Sequence, residues 1–90
     1  MIRVLYYAGV RDKVGTNETC VDGFSGTITG LVRHLEEHHG ISLLRSDSPT
    51  ELLSALLVMI NGRHISHVGG LNAPVSEGDV VSIFTLIGGG

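Results

Sequence analysis

Ninety residues with a formal net charge of −3 suffice for one domain with a modest core, since a chain of that length buries only about 60–65% of the surface its unfolded form exposes. The charge is dispersed and no basic patch is evident, which argues against nucleic acid as the main partner. Val4 to Val10, the longest uncharged run near the start, is too short for a signal segment or a membrane span, and the single cysteine, Cys20, excludes an internal disulfide framework and fits a reducing, cytoplasmic setting with no membrane partner.

Ile2 to Ala8 is rich in β-branched and aromatic residues and predicts a first strand. Apart from Arg3, both of its faces are apolar, which places it at the centre of a sheet. Gly9 to Asn17 is a polar connection with room for one helical turn at Val10–Val14. Glu18 to Val21 predicts a short second strand in a hairpin with the first. Within it Cys20 reads as a small buried or half-buried apolar residue, because no histidine neighbours it and its surroundings are not cationic.

Phe24-Ser25-Gly26 leads into the one clear helix, with Thr27 or Ser25 as its cap. Ile28, Leu31, Val32 and Leu35 recur at helical spacing. Gly30 costs such a helix about 1 kcal/mol against alanine and suggests close packing on a sheet. Gly40 ends the helix, with His38 and His39 at the negative end of its dipole. His34 and His38 are four residues apart, which is metal-ligand spacing. Leu35 stands where a metalloprotease motif has its glutamate, and no third ligand suggests itself, so these histidines read as a solvated flank and a cap region, with no metal expected.

Ile41 to Glu51 has loop chemistry. A third strand follows at Leu56–Ile60, and Asn61-Gly62 then predicts a type I′ hairpin turn. Arg63 to Ser66 returns as a short strand. Ser76-Glu77-Gly78-Asp79 predicts a turn before a last strand containing Val80, Val81, Ile83 and Phe84.

The chain closes on Thr85-Leu86-Ile87-Gly88-Gly89-Gly90. Three glycines have no side chains to bury and lose the most conformational entropy on ordering. Residues 85–90 are therefore expected to form a flexible, exposed tail on a single domain spanning 1–90. Such a tail is thin enough to thread a narrow channel, and a carboxylate on Gly90 is open to attack from either side.

The first and last strands are the most apolar, so they belong side by side at the sheet centre. With a helical crossover between the halves they run parallel. The expected fold is α+β: a β-grasp, ubiquitin-like, with a mixed sheet of about five strands and one main helix packed on one face.

Several segments, in this order, resemble a known family. Ile2-Arg3-Val4-Leu5-Tyr6-Tyr7-Ala8, followed by Val10-Arg11 and Val14-Gly15-Thr16, resembles the opening strand and turn of the small subunit of molybdopterin synthase (MoaD-type), within the wider group of ubiquitin-like sulfur carriers that includes ThiS. Val58-Met59-Ile60-Asn61-Gly62 resembles its V-N-G hairpin. Glu77-Gly78-Asp79-Val80-Val81 resembles its G-D-x-V lead into the last strand, and Gly89-Gly90 its terminal diglycine. Thr85-Leu86 departs from the pattern, which often carries two prolines there.

The resemblance implies a mechanism in which the chain itself binds no cofactor. An adenylyltransferase of the ubiquitin-activating type (MoeB/ThiF-type) would use ATP to form an acyl-adenylate at Gly90. A sulfurtransferase or cysteine desulfurase would supply the sulfur that converts it to a thiocarboxylate. The large subunit of molybdopterin synthase (MoaE-type) would accept the tail and use its sulfur to build the dithiolene that binds molybdenum or tungsten. Gly88 and Gly89 would thread the channel, and Thr85, Leu86 and Ile87 would lie in the partner's groove. Tyr7, His64 and Phe84 resemble the family's docking patch. Tyr7 and Phe84 read equally well as core, because strand parity is unresolved, and His64 also reads as a solvated strand residue. Arg11 resembles a family arginine in the turn but reads first as a solvated surface charge. The alternatives are a carrier for thiamine, cysteine or tRNA thiolation, a protein modifier conjugated through Gly90, and an inert β-grasp binding module.

Overall fold

The computed structural model describes residues 1–44 and 56–85. Strand β1 (Ile2–Tyr6) pairs antiparallel with β2 (Glu18–Val21), from Ile2 opposite Val21 to Leu5 opposite Glu18. Between them lies helix α1 (Ala8–Val14). The expected strand to Ala8 ends earlier because Ala8 adopts φ +54, a left-handed conformation incompatible with a strand. Gly15, at φ 90, closes α1 with its N–H on the Arg11 carbonyl.

A two-residue strand β3 (Gly26–Thr27) leads into α2 (Ile28–His39). Thr27 is the cap, its hydroxyl accepting from the Gly30 N–H, and Gly40 terminates the helix at φ 66. Strand β4 (Leu56–Ile60) turns through Asn61 and Gly62, at φ 51 and 83, into β5 (Arg63–His64). Two 3-10 turns, Ile65–His67 and Gly70–Asn72, follow, then β6 (Pro74–Val75) and β7 (Val80–Thr85). Expected to reach Ser66, β5 instead stops at His64, whose Nδ1 accepts the Ser66 N–H and starts the first 3-10 turn. The β3–β6 pair, a second small sheet, has no counterpart in the expected order of elements.

The main sheet has the order β2-β1-β7-β4-β5. β7 is central, parallel to β1 and antiparallel to β4. This is the expected β-grasp. Its inner face contributes Ile2, Val4, Tyr6, Val58, Ile60, Val81 and Ile83, and α2 covers them with Ile28, Leu31, Val32 and Leu35. Beyond α2, Glu36 Oε2 accepts the N–H groups of Leu43 and Leu44 at 2.7 and 2.9 Å.

Two-sided burial of β1 does not hold. It lies inside the sheet, but Arg3 and Tyr7 are exposed on the outward side and Leu5 is only half-buried. Cys20, expected to be buried or half-buried, is exposed on β2 because that strand forms an edge of the sheet and residue 20 falls on its outward side. Gly30 packs not on a sheet but against the Phe24 ring, 3.3 Å from where a Cβ would stand. No helix among the described residues is long and apolar enough to cross a membrane.

Candidate functional site

Strand parity around β7 decides which side chains face outward. Val81 and Ile83 are buried beneath α2, so the alternate residues Ser82 and Phe84 stand on the open face. The register carries this across the sheet. Leu57 is opposite Phe84, Met59 is opposite Ser82, and Leu5 lies beside Ser82 on the other flank. The Tyr7 N–H donates to the Ile83 carbonyl at 3.0 Å, extending the β1–β7 ladder by one residue. Tyr7 is 45% exposed, and its ring meets Phe84 edge to face with centroids 6.2 Å apart. Both sequence candidates therefore belong to the outer face and not to the core.

His64 joins the same surface at its margin, paired with Met59 across β4–β5. It is half-buried, and because Nδ1 accepts a backbone N–H, the neutral ring carries its proton on Nε2. Leu5, Leu57 and Met59 were not singled out from the sequence. Their alternation was visible, but which face it served depended on the strand order. Together these side chains make an apolar surface with two aromatic rings at the end of β7, suited to contact rather than to chemistry.

The tail is only partly in view. Thr85, expected as the first residue of the tail, is the last residue of β7, opposite Leu56. Leu86, Ile87, Gly88, Gly89 and Gly90 lie outside the described residues. Arg11 is exposed on α1, its N–H donating to the Tyr7 carbonyl at 3.4 Å, and lines a polar depression with Asp12, Gly15, Thr16 and Asn17.

Cys20 is not activated. Its Sγ donates to Glu18 Oε2 at 3.5 Å, and desolvation, then the Glu18 carboxylate, push the thiol pKa up. Glu18 itself is held below the usual carboxylate range, chiefly by the Arg3 guanidinium 2.8 Å away. His39, expected in the cap region, is half-buried. Thr19 Oγ1 and Tyr6 Oη lie 2.9 and 3.4 Å from its Nε2, tying α2 to β2 and β1. Burial, then His38, lowers its pKa, and burial raises that of Tyr6.

The fold recurs in solved structures. A chain of the Amycolatopsis orientalis BexX/CysO complex matches with a TM-score of 0.78 at 22% identity, covering 100% of both chains. Small archaeal modifier protein 1 from Methanosarcina acetivorans matches with a TM-score of 0.79 at 23% identity, covering 99% of this chain and 95% of that one. Urm1 from Trypanosoma brucei matches with a TM-score of 0.77 at 25% identity, covering 99% and 94%. No curated protein matches the chain in sequence. The model of the ThiS family matches residues 4–90, from β1 through the last glycine, and the chain belongs to this family of ubiquitin-like sulfur carriers.

Proposed function

We propose that the protein acts through Gly90 as the bearer of a C-terminal thiocarboxylate. The observation that carries this reading is the extent of the family match, which includes the three terminal glycines. In this reading an adenylyltransferase of the MoeB/ThiF type docks on the outer face around Tyr7, Phe84 and Leu57. Leu86 and Ile87 enter its groove, and Gly88 and Gly89 pass through the narrow part of its site. The Gly90 carboxylate attacks the α-phosphate of ATP and releases pyrophosphate. A sulfurtransferase or cysteine desulfurase then supplies sulfur as a persulfide. Its terminal sulfur displaces AMP, and reduction of the sulfur–sulfur bond by a thiol leaves –COS⁻ on Gly90. The carrier contributes surface and a slender tail, and the acid–base groups belong to the partner.

For the acceptor, the first reading is the small subunit of molybdopterin synthase, working with a MoaE-type large subunit in the cytoplasm. The Val58–Gly62 and Glu77–Val81 segments support it. A second reading, a carrier for thiamine, cysteine or tRNA thiolation, is favoured by Thr85-Leu86 in place of the family's prolines. The fold likeness to proteins named CysO and Urm1 also favours it. The test supplies the thiocarboxylated protein to a MoaE-type subunit with the cyclic pterin phosphate precursor. Dithiolene formation supports the first reading. Its absence, with sulfur consumed by another acceptor enzyme, favours the second.

A further inference from the structure

We propose that His34 and His38 form a two-histidine site for a divalent transition-metal cation on the solvent face of α2. This site is independent of the tail and of the outer sheet face. The two residues are four apart on one helix, so their Cβ atoms lie about 5–6 Å apart on the same side. Both are exposed, while the opposite stripe of α2 is buried in the core. Their ring planes stand within 8° of parallel, stacked face to face, with centroids 6.3 Å apart.

The surroundings restrict these rings more than a solvated flank would. Phe24 lies against His34 with centroids 6.3 Å apart, and His39 meets His38 edge on at 4.7 Å. His39 is itself anchored by Thr19 and Tyr6, so the last turn of α2 is fixed to the sheet beneath it. A pair of imidazoles on a rigid helix loses little freedom on ligation. One ion between them needs each ring nitrogen at about 2.0–2.1 Å. Adjusting χ1 together with χ2, a soft torsion, draws the two rings closer and brings the nitrogens together without moving the backbone.

The chemistry of the donors sets the ligand class. Two neutral imidazoles favour Cu(II), Ni(II) or Zn(II) over Ca(II) or Mg(II), with Cu(II) bound most tightly. Glu37, exposed and three residues from His34, adds negative charge on the same side. The run from His34 to His38 thus reads H-x-x-E-H, a spacing in which helical histidines ligate zinc. No group of three ligating side chains gathers among the described residues, so the site rests on these two imidazoles.

The test titrates Cu(II) into the full chain at pH 7.5 by calorimetry, with electron paramagnetic resonance of the complex, in a Cys20→Ser background that removes thiol binding. One equivalent of Cu(II) with nitrogen hyperfine structure from two imidazoles is expected. His34→Asn and His38→Asn should each weaken binding on the order of a hundredfold, while His67→Asn, on the 3-10 turn, should leave it unchanged. Circular dichroism checks that the variants are folded. If either variant binds Cu(II) as tightly as the parent, or if the spectrum lacks two imidazole nitrogens, the site is refuted.

Discussion

Phe84 and Ile83 are neighbours in β7 but face opposite sides of the sheet, so substituting them separates stability from recognition. Ile83 is 1% exposed beneath α2. Ile83→Ala removes its buried methyl and methylene groups and leaves a cavity, at a cost of roughly 3–4 kcal/mol. For a domain of this size each 1 kcal/mol moves Tm by about 4–8 °C, which predicts a fall of about 12–32 °C. Phe84 is half-buried and packs edge to face on Tyr7. A fully buried phenylalanine would cost about 3–5 kcal/mol on truncation, and half of that surface gives about 2 kcal/mol for Phe84→Ala. The functional effects reverse. An aromatic anchor at an interface is worth about 2 kcal/mol or more, so Phe84→Ala should weaken capture by the activating enzyme about thirtyfold. Ile83→Val, costing about 1 kcal/mol, should leave it unchanged. The assay is pyrophosphate release with a MoeB/ThiF-type enzyme and ATP, against carrier concentration, beside thermal melts of each variant. Phe84→Ala as destabilised as Ile83→Ala, or activated as readily as the parent, would refute the reasoning.

The hairpin at Asn61 is predicted to depend on both its backbone and its side chain. Asn61 sits at φ 51, its Nδ2 donates to Asp79 Oδ1 at 3.0 Å, and its Oδ1 accepts the Val80 N–H at 2.9 Å. Asn61→Gly keeps the turn and loses both bonds, about 1–3 kcal/mol; Asn61→Ala adds about 1 kcal/mol for the left-handed conformation, and equal urea midpoints for the two would contradict this. For Glu18, the folded carboxyl titrates below its ordinary 4.5 because Arg3 and then the Cys20 thiol hydrogen-bond to it. Its contribution is therefore present above that ordinary value and is lost as the pH falls through the folded one. Denaturation curves of the parent and Glu18→Gln should differ at neutral pH, converge in acid and draw closer in high salt. A gap that persists at pH 2 would show that the ion pair is not its source.

Most of the fold could be read before the structure, because its strongest signals are local. The Ile28–Leu35 stripe, the Thr27 cap and the Gly40 terminator bound α2. Leu56–Ile60 with Asn61-Gly62 bounds β4 and its turn. What escaped depends on distant partners. β3 and β6 are two residues each and exist only through pairing between Gly26–Thr27 and Pro74–Val75. The neighbour of Gly30 is the Phe24 side chain, which no periodicity reveals. Cys20, which reads in sequence as buried or half-buried, is exposed because β2 is an edge strand with residue 20 on its outward side, and neither fact is local to the sequence. The aromatic part of the candidate site was visible as residue types at Tyr7 and Phe84. Their meeting at one place on the outer face came only with the β1–β7–β4 register, which also added Leu5, Leu57 and Met59.

The central claim is a sulfur on Gly90, and the mass of the C-terminal peptide tests it most directly. Trypsin cuts last at Arg63, and the peptide from His64 to Gly90 holds neither methionine nor cysteine. A gain of about 16 Da on that peptide therefore reports replacement of a carboxylate oxygen by sulfur and not oxidation at Met1 or Met59. The protein, purified without strong nucleophiles from cells or after incubation with an activating enzyme, ATP and a persulfide donor, should show this gain. The sulfur should be alkylated by iodoacetamide, with iodide leaving, and the adduct should localise to Gly90. An unmodified carboxylate under both conditions would contradict the carrier mechanism.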